Sequence, residues 1–257
     1  MKKLRKNGIV NFKKMIISPN SYIRRPPIGL EPKQIIVFNA IRYSVDICEL
    51  TFERLETNLH QFSYGDFSEK HIPLIFSDVW TIINNINILK DVICQHFPES
   101  VNDKLIIDLK KFKDLRDSHQ HLAERIFQTH SKLEISPIYG VLSWFAKENE
   151  NSKEGIISTI YTGTILKDIN ARLENPTGKI NNKKVNHIKF SGIKRVGKKT
   201  ITFIDSTIYI NEIIELIKKI IISYEIQIEK QLIGRDVSSR HLSDMVIEVK
   251  TIEINQI

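Results

Sequence analysis

Apolar residues recur at three- and four-residue intervals over four long stretches of the chain, the spacing of amphipathic helices. The predicted helices span 32–62, 70–97, 101–131 and 211–231. Short breaks separate the first three: a turn around Gly65, and Phe97 with Pro98. Helices joined by short loops usually pack as antiparallel neighbours. The first three helices therefore predict an up-down bundle.

After Pro137 the pattern changes to the alternation typical of strands. Residues 139–146 alternate and carry aromatic side chains, and 156–165 is rich in isoleucine and threonine. Residues 185–193 and 200–204 flank a basic turn, which predicts a β-hairpin. Residues 245–254 alternate apolar with charged positions and are predicted to form a final strand.

These elements predict an α+β fold: an antiparallel helical bundle, a small antiparallel sheet, and a long C-terminal helix that packs on the bundle. Three regions follow. Residues 1–31 form a basic extended arm, because Pro26, Pro27 and Gly29 oppose a helix there. Residues 32–135 form the bundle, and 136–257 form a β-rich region that includes the helix at 211–231. A chain of 257 residues can bury a sizeable core without disulfides.

The cysteine and hydropathy patterns favour a cytoplasmic protein. Cys48 and Cys94 fall in apolar helical patterns and are predicted to be buried thiols, with neither a disulfide framework nor a metal-ligand spacing. No stretch is predicted to span a membrane, and no apolar signal core follows the basic N-terminus.

The net charge of +8 is concentrated in two blocks that hold no acidic residue, at 1–30 and 175–204. Such blocks are the electrostatic footprint expected for a polyanion such as RNA. A lysine-rich composition imposed by the base content of the genome is the alternative explanation. The candidate RNA-binding residues are Lys183, Lys184, Lys194, Arg195, Lys198 and Lys199.

Reactive side chains are densest between 115 and 126, inside the third predicted helix. Arg116 offers a planar cationic fork suited to phosphate, and Asp117 lies four residues before His121, so the two can touch on a helix. At about 100° per residue, Arg116 and His121 project roughly 140° apart, so a shared site needs a distorted helix or a two-fold axis. His119 falls in the apolar stripe, where a buried core histidine is the alternative. His119 and His121 project about 200° apart and cannot chelate one metal ion, so neither a metal nor a cofactor is expected.

The sequence from Arg116 to His121, RDSHQH, resembles the R-x4-6-H motif of the HEPN superfamily, with Asp117 as the polar residue that often follows the arginine. The preceding helix, around Asp78 and Trp80, resembles a second helix of such proteins. The resemblance covers about residues 30–135. It differs from many HEPN toxins in one position: Ala123 stands where they carry a tyrosine two residues beyond the histidine.

The resemblance implies metal-independent RNA cleavage in a groove between two protomers. Arg116 would bind the scissile phosphate, His121 would act as general acid or base, Asp117 would orient them, and His119 is a further candidate. The 2′-hydroxyl would attack and leave a cyclic phosphate and a 5′-hydroxyl. The expected partners are RNA, a second copy of the chain, and an antitoxin or other protein, as for a toxin or defence component.

Two other interpretations remain open at this stage. One is a non-catalytic HEPN-like module that binds RNA or a protein partner through the basic blocks. The other is a purely structural role, with the motif forming a surface ion network. Asp78, Asn84, Asn85 and Asn87 are likewise either solvent-exposed or a polar lining beside the helix of Arg116.

Overall fold

The computed structural model describes residues 15–65, 68–124, 139–162, 181–196, 202–234, 237–241 and 244. The elements in these residues are α1 (Pro32–Tyr64), α2 (His71–His96), a 3-10 helix (Pro98–Asn102), α3 (Lys104–Asp108), α4 (Lys111–Gln120), β1 (Val141–Ala146), β2 (Ile156–Tyr161), β3 (Val185–Val196), β4 (Thr202–Tyr209) and α5 (Ile210–Leu232). Helices and an antiparallel sheet share one hydrophobic core, so the predicted α+β class is confirmed.

The two longest helices of the bundle, α1 and α2, pack against each other as an antiparallel hairpin. Helix α1 begins with a capping box between Glu31 and Gln34, and Pro32 occupies its first turn, where a proline costs no helical hydrogen bond. The Sγ of Cys48 lies 3.8 Å from the carbonyl oxygen of Ile82, which fixes the register of the two helices. The buried residues follow helical spacing on both helices, but on α1 they include Ile41, Val45 and Cys48, whereas apolar residues that share another side of α1, such as Ile36 and Leu50, are exposed.

The prediction of one helix over 101–131 is wrong. The chain instead forms the 3-10 helix, α3 and α4 in succession, and residues 122–124 are again helical after a turn at His121. Asp103 caps α3 by accepting a 2.8 Å hydrogen bond from the backbone N–H of Leu105. Helix α3 contacts α5, whereas α4 contacts α2 and β3. The break lets Ile106 and Phe112 both be buried against these different neighbours. The part of the prediction at 125–131 lies outside the described residues.

The sheet has the strand order β2-β1-β3-β4, and all neighbouring strands are antiparallel. The predicted hairpin is confirmed, with longer strands than expected, and its register pairs Val196 with Thr202. The register of β1 against β3 shifts between Ser143 and Phe145, next to His187, whose φ of 51° is left-handed. The predicted strand at 245–254 and the basic tip at 197–201 lie outside the described residues.

Both ends of the described chain return to α1. The predicted arm is irregular over 15–31, yet Ile17 and Ile23 are fully buried in the core, so this part packs on the body. Helix α5 packs against α1, α3 and β3, as predicted for the last long helix. Asp244 accepts two hydrogen bonds of 2.7 Å from the guanidinium of Arg42 on α1.

Helix α2 is long and apolar enough, by length and mean hydropathy, to cross a bilayer, contrary to the sequence-based expectation that no segment is. Fifty-six per cent of its most apolar stretch is buried inside the protein, which is also the behaviour of a core helix. Both cysteines are free thiols, Cys48 buried and Cys94 half-buried.

Candidate functional site

Helix α4 carries three of the four candidate catalytic residues and ends at the fourth. Arg116, Asp117 and His119 lie within α4, and His121 is its C-terminal cap with φ −100° and ψ 27°. The backbone N–H of His121 still donates a 3.1 Å hydrogen bond to the carbonyl oxygen of Asp117. The backbone of His121 is therefore held by the last turn of the helix, and 54% of the side chain is exposed.

The guanidinium of Arg116 faces Asp91 of α2. Its Nη1 is 3.8 Å from the Oδ2 of Asp91, which is near enough for attraction and too far for a hydrogen bond. The other carboxylate oxygen of Asp91 lies 3.0 Å from the Nζ of Lys90. Asp91 thus lies near two cations, and the Arg116 side chain is 30% exposed. A partly exposed guanidinium can bind an anion.

The imidazole of His119 stacks on the indole of Trp80, with ring centroids 4.1 Å apart and an angle of 15° between the planes. Tyr139 approaches the same imidazole edge-on at 6.2 Å, and Phe190 supports the indole edge-on at 5.1 Å. Burial lowers the pKa of His119 because the charged form loses hydration. Burial therefore favours the neutral ring of His119, which is half-buried in the apolar stripe where the sequence places it.

The carboxylate beside His121 belongs to Glu124 and not to Asp117, which the sequence pairs with it. The Nδ1 of His121 is 3.5 Å from the Oε1 of Glu124. Asp117 is half-buried on α4. Arg116 and His119 are three residues apart and share one side of α4, whereas His121 leaves the helix on another side. The structure thus gives Arg116, His119 and His121 three different surroundings within six residues.

The polar residues of α2 separate into two groups. Asp78 is fully buried, accepts a 2.9 Å hydrogen bond from the Nε of Arg54 and a second one from its Nη2, and lies 3.4 Å from the Nδ2 of Asn58. It therefore belongs to the seam between α1 and α2. Asn87 is also buried and donates to the carbonyl oxygen of Phe112 at 3.0 Å, which ties α2 to α4.

Several buried polar atoms along the α2–α4 seam have no hydrogen-bond partner within the described part of the chain. They are Trp80 Nε1, Asn84 Oδ1, Asn87 Oδ1 and Ser118 Oγ. Such atoms usually bond to water or to a polar ligand, because leaving them unpaired costs free energy. Sequence reasoning missed the contribution of Trp80 and Ser118. The only signal for Trp80 is its place in the helix that resembles a HEPN helix.

The six candidate RNA-binding residues do not form one described patch. The Nζ of Lys183 is 3.3 Å from the Oε1 of Glu56 on α1, whereas Lys184 is exposed. Lys194 and Arg195 lie on β3, paired with Ile204 and Phe203 of β4, and Lys198 and Lys199 lie outside the described residues.

Strand β3, the first strand of the hairpin, packs against α4. A Cβ on Gly192 would lie only 2.8 Å from the Cδ2 of Leu115, so the backbone of β3 runs against the residue that precedes Arg116. Lys194 lies two positions beyond Gly192 along the strand, a rise of about 7 Å. The basic hairpin therefore starts beside the candidate catalytic helix.

No cluster of three or more histidine, cysteine, aspartate or glutamate side chains suited to a metal ion occurs among the residues that the structure describes. No protein-family model matches the sequence, and comparisons with curated proteins and with solved structures find no match either.

Proposed function

We propose that this chain is a metal-independent endoribonuclease of HEPN type, acting as a homodimer in the cytoplasm as a toxin or defence component. The observation that carries the proposal is the end of α4. There a partly exposed arginine, a half-buried imidazole and an exposed imidazole lie within six residues, next to the start of a basic hairpin. Because Arg116 and His121 lie in different surroundings within one chain, the two-fold axis of the proposed dimer is what brings them to the same phosphodiester. Cleavage of a phosphodiester needs a cation for the phosphate and groups that transfer two protons.

The chemistry assigns each group a step. A base removes the proton of the 2′-hydroxyl, whose oxygen attacks phosphorus, and Arg116 stabilises the charge that develops on the phosphoryl oxygens. The bond from phosphorus to the 5′-oxygen breaks, and an acid gives that oxygen a proton. His121 serves as the acid or the base because it is exposed to substrate. Burial favours the base form of His119, because it lowers the pKa of that imidazole. The products are a 2′,3′-cyclic phosphate and a 5′-hydroxyl.

The assay for this proposal is RNA cleavage in excess chelator by the purified chain and its variants. Arg116→Ala and His121→Ala should each lower the rate at least a hundredfold, because each removes a group that acts in the transition state. Lys113→Ala and His96→Ala are matched controls, since both side chains are exposed and neither belongs to the motif. Cleavage that survives both motif substitutions would refute the proposal.

The second candidate function is a non-catalytic module that binds RNA or a protein partner. It is favoured by the carboxylates beside both groups, Asp91 near Arg116 and Glu124 near His121. Such a module binds RNA in a salt-sensitive way without cutting it, and Arg116→Ala leaves its affinity unchanged, whereas changes in the basic hairpin weaken it. The same variants therefore separate the two functions.

A further inference from the structure

A continuous series of aromatic rings runs from the core to the surface between α2, α4 and the residue that precedes β1. The ring centroids of Phe76 and Phe190 are 6.5 Å apart, and those of Phe190 and Trp80 are 5.1 Å apart. The imidazole of His119 stacks on Trp80 at 4.1 Å, and Tyr139 contacts that imidazole edge-on at 6.2 Å. We call these five residues the ring series. Its first three members are buried, whereas Tyr139 is 46% exposed.

The backbone that carries Tyr139 is fixed by the sheet. The N–H of Tyr139 donates a 3.1 Å hydrogen bond to the Oγ1 of Thr162, and that hydroxyl donates one of 2.8 Å to the carbonyl oxygen of Gly140. Gly140 packs so closely on β3 that an added Cβ would lie 2.5 Å from the ring of Phe190. A ligand that stacks on Tyr139 therefore binds a ring whose backbone is already in place, which reduces the entropic cost of binding.

An exposed ring that is backed by further rings suits a nucleobase. Unpaired bases of RNA stack on the side chains of tyrosine, tryptophan, phenylalanine and histidine, whereas the bases of a duplex are stacked on one another and are not available. Stacking tolerates all four bases, because each has a π face. The ring series therefore favours single-stranded RNA without a strong preference for sequence.

We propose that Tyr139 stacks on an unpaired base of single-stranded RNA, a few nucleotides away from the phosphate that Arg116 binds. The separation follows from α2, because Trp80 contacts the ring series and Asp91 lies near Arg116. These two residues are about 16 Å apart along the helix at 1.5 Å per residue. The inference rests on RNA as the substrate of the proposed function, and it holds whether the chain cleaves RNA or only binds it.

The same strand that supports the ring series leads to the basic hairpin. Phe190 contacts Trp80, and Lys194 follows Phe190 by four positions on β3, a rise of about 13 Å. Proteins that bind single strands usually combine cations along the backbone of the nucleic acid with rings on which its bases stack. The hairpin and Arg116 supply the cations here, and Tyr139 supplies the ring between them.

The competing role for Tyr139 is packing alone. Its edge-on contact with His119 would then close the ring series against solvent. Removal of the ring would lower stability and would leave the affinity for RNA unchanged. Binding to a defined oligonucleotide separates the two roles.

Fluorescence anisotropy of the full chain with a labelled 2′-fluoro uridine decamer tests the proposal. This analogue lacks the attacking 2′-hydroxyl and cannot be cut, so the result does not depend on catalysis. Tyr139→Leu should weaken binding roughly fivefold to a hundredfold, because it removes one stacked base. Tyr139→Phe keeps the ring and should stay within about twofold of the unmodified chain.

Tyr64→Leu is the matched control, because Tyr64 is likewise exposed and its ring lies 5.4 Å from that of another histidine, His60. Its hydroxyl donates to the carbonyl oxygen of Ala146, at the opposite end of β1 from Tyr139. This variant should bind the decamer as the unmodified chain does. An equal loss of affinity in Tyr64→Leu and Tyr139→Leu would overturn the proposal.

A decamer of the same length and charge that lacks bases identifies stacking as the cause. It should bind more weakly than the uridine decamer, and Tyr139→Leu should not weaken it further. Equal weakening of both oligonucleotides by Tyr139→Leu would contradict a stacked base, as would preferential binding of a duplex.

Photo-crosslinking keeps the test informative if Tyr139→Leu misfolds, because it uses the unmodified chain. A 2′-fluoro decamer that carries 5-iodouridine should crosslink to Tyr139, and mass spectrometry of the peptides identifies the residue. Crosslinks confined to other residues, or no binding of the decamer at all, would overturn the base-stacking site. The ribonuclease proposal is judged separately by its own cleavage assay.

Discussion

At the scale of single residues, the candidate site depends on how differently the protein surrounds three basic side chains. His119 is stacked on Trp80, His121 is exposed at the C-terminal cap of α4, and Arg116 lies 3.8 Å from the carboxylate of Asp91. The sequence could predict that His119 lies in the apolar stripe, since that follows from helical spacing. It could not predict the partners of Arg116 and His121, because those depend on α2 and on where α4 ends.

The environment of His119 predicts a pH dependence of stability. Burial lowers its folded-state pKa below the 6.5 of the unfolded chain, so the unfolded state binds more protons as the pH falls below about 6.5. Stability contributed by this group is present above that pH and is lost below it. His119→Phe keeps a ring to stack on Trp80 and should reduce the loss of unfolding free energy between about pH 7.5 and 5 in urea titrations.

The control for that prediction is His96→Phe, at an exposed histidine outside the α2–α4 seam. It should leave the pH dependence as in the unmodified chain. An equal loss of stability with pH in the unmodified chain and in His119→Phe would contradict the burial of this imidazole.

The ion pair of Arg54 and Asp78 predicts a large loss of stability when its partly exposed arginine is replaced. The Arg54 side chain is 54% exposed, whereas the carboxylate of Asp78 is fully buried. Arg54→Ala leaves that carboxylate without its cation, which should cost about 2–3 kcal/mol of unfolding free energy after allowance for solvent screening. Chemical denaturation measures the loss. Arg25→Ala, at an exposed arginine, should change stability by less than about 0.5 kcal/mol, and an equal effect of both variants would refute the structural role of the pair.

At the scale of elements, the sequence predicts every long segment whose apolar period is uninterrupted. Helices α1, α2 and α5 and the hairpin of β3 and β4 follow from period and turn residues alone. The third helix fails because Ile106 and Phe112 keep a helical period while their segments pack on different partners. Apolar spacing indicates which residues can be buried together, but it does not indicate which elements they pack against.

The close packing of Gly140 against β3, the strand that supports Trp80, predicts a loss of stability on substitution. Its φ is +102°, and a Cβ there would lie 2.5 Å from the Cε2 of Phe190 and 2.8 Å from the carbonyl oxygen of Ser191. Gly140→Ala should therefore cost about 3 kcal/mol, from backbone strain and overpacking together. The control is Gly29→Ala, where no atom of the described residues would lie within 4 Å of the new Cβ, and its effect should stay within about 0.5 kcal/mol. Similar thermal midpoints for both variants would contradict this packing.

The hairpin of β3 and β4 predicts a salt-dependent loss of RNA binding. Replacing Lys194 and Arg195 by glutamate should lower affinity at least tenfold, and should flatten the dependence of log K on log salt by roughly 1.4 if two phosphate contacts are lost. Fluorescence anisotropy with single-stranded RNA at several salt concentrations measures both. Lys70→Glu with Lys153→Glu makes the same change in net charge at exposed positions elsewhere. An equal loss in this control would show that net charge alone governs binding.

At the scale of the whole molecule, the described chain builds one core from the bundle, the sheet, α5 and the segment after residue 14. The sequence predicts the class of this fold and the position of its basic segments. It does not predict that Ile17 and Ile23 complete the core, because an irregular segment has no period to read.

The central claim is that the groups at the end of α4 cleave RNA without a metal ion. The most direct measurement is the chemistry of the ends left on a defined RNA incubated with the full chain in excess chelator, analysed by mass spectrometry. The account predicts 2′,3′-cyclic phosphate and 5′-hydroxyl ends with the unmodified chain, and intact RNA with Arg116→Ala. Intact RNA with the unmodified chain, or cleavage that leaves 3′-hydroxyl and 5′-phosphate ends, would contradict it.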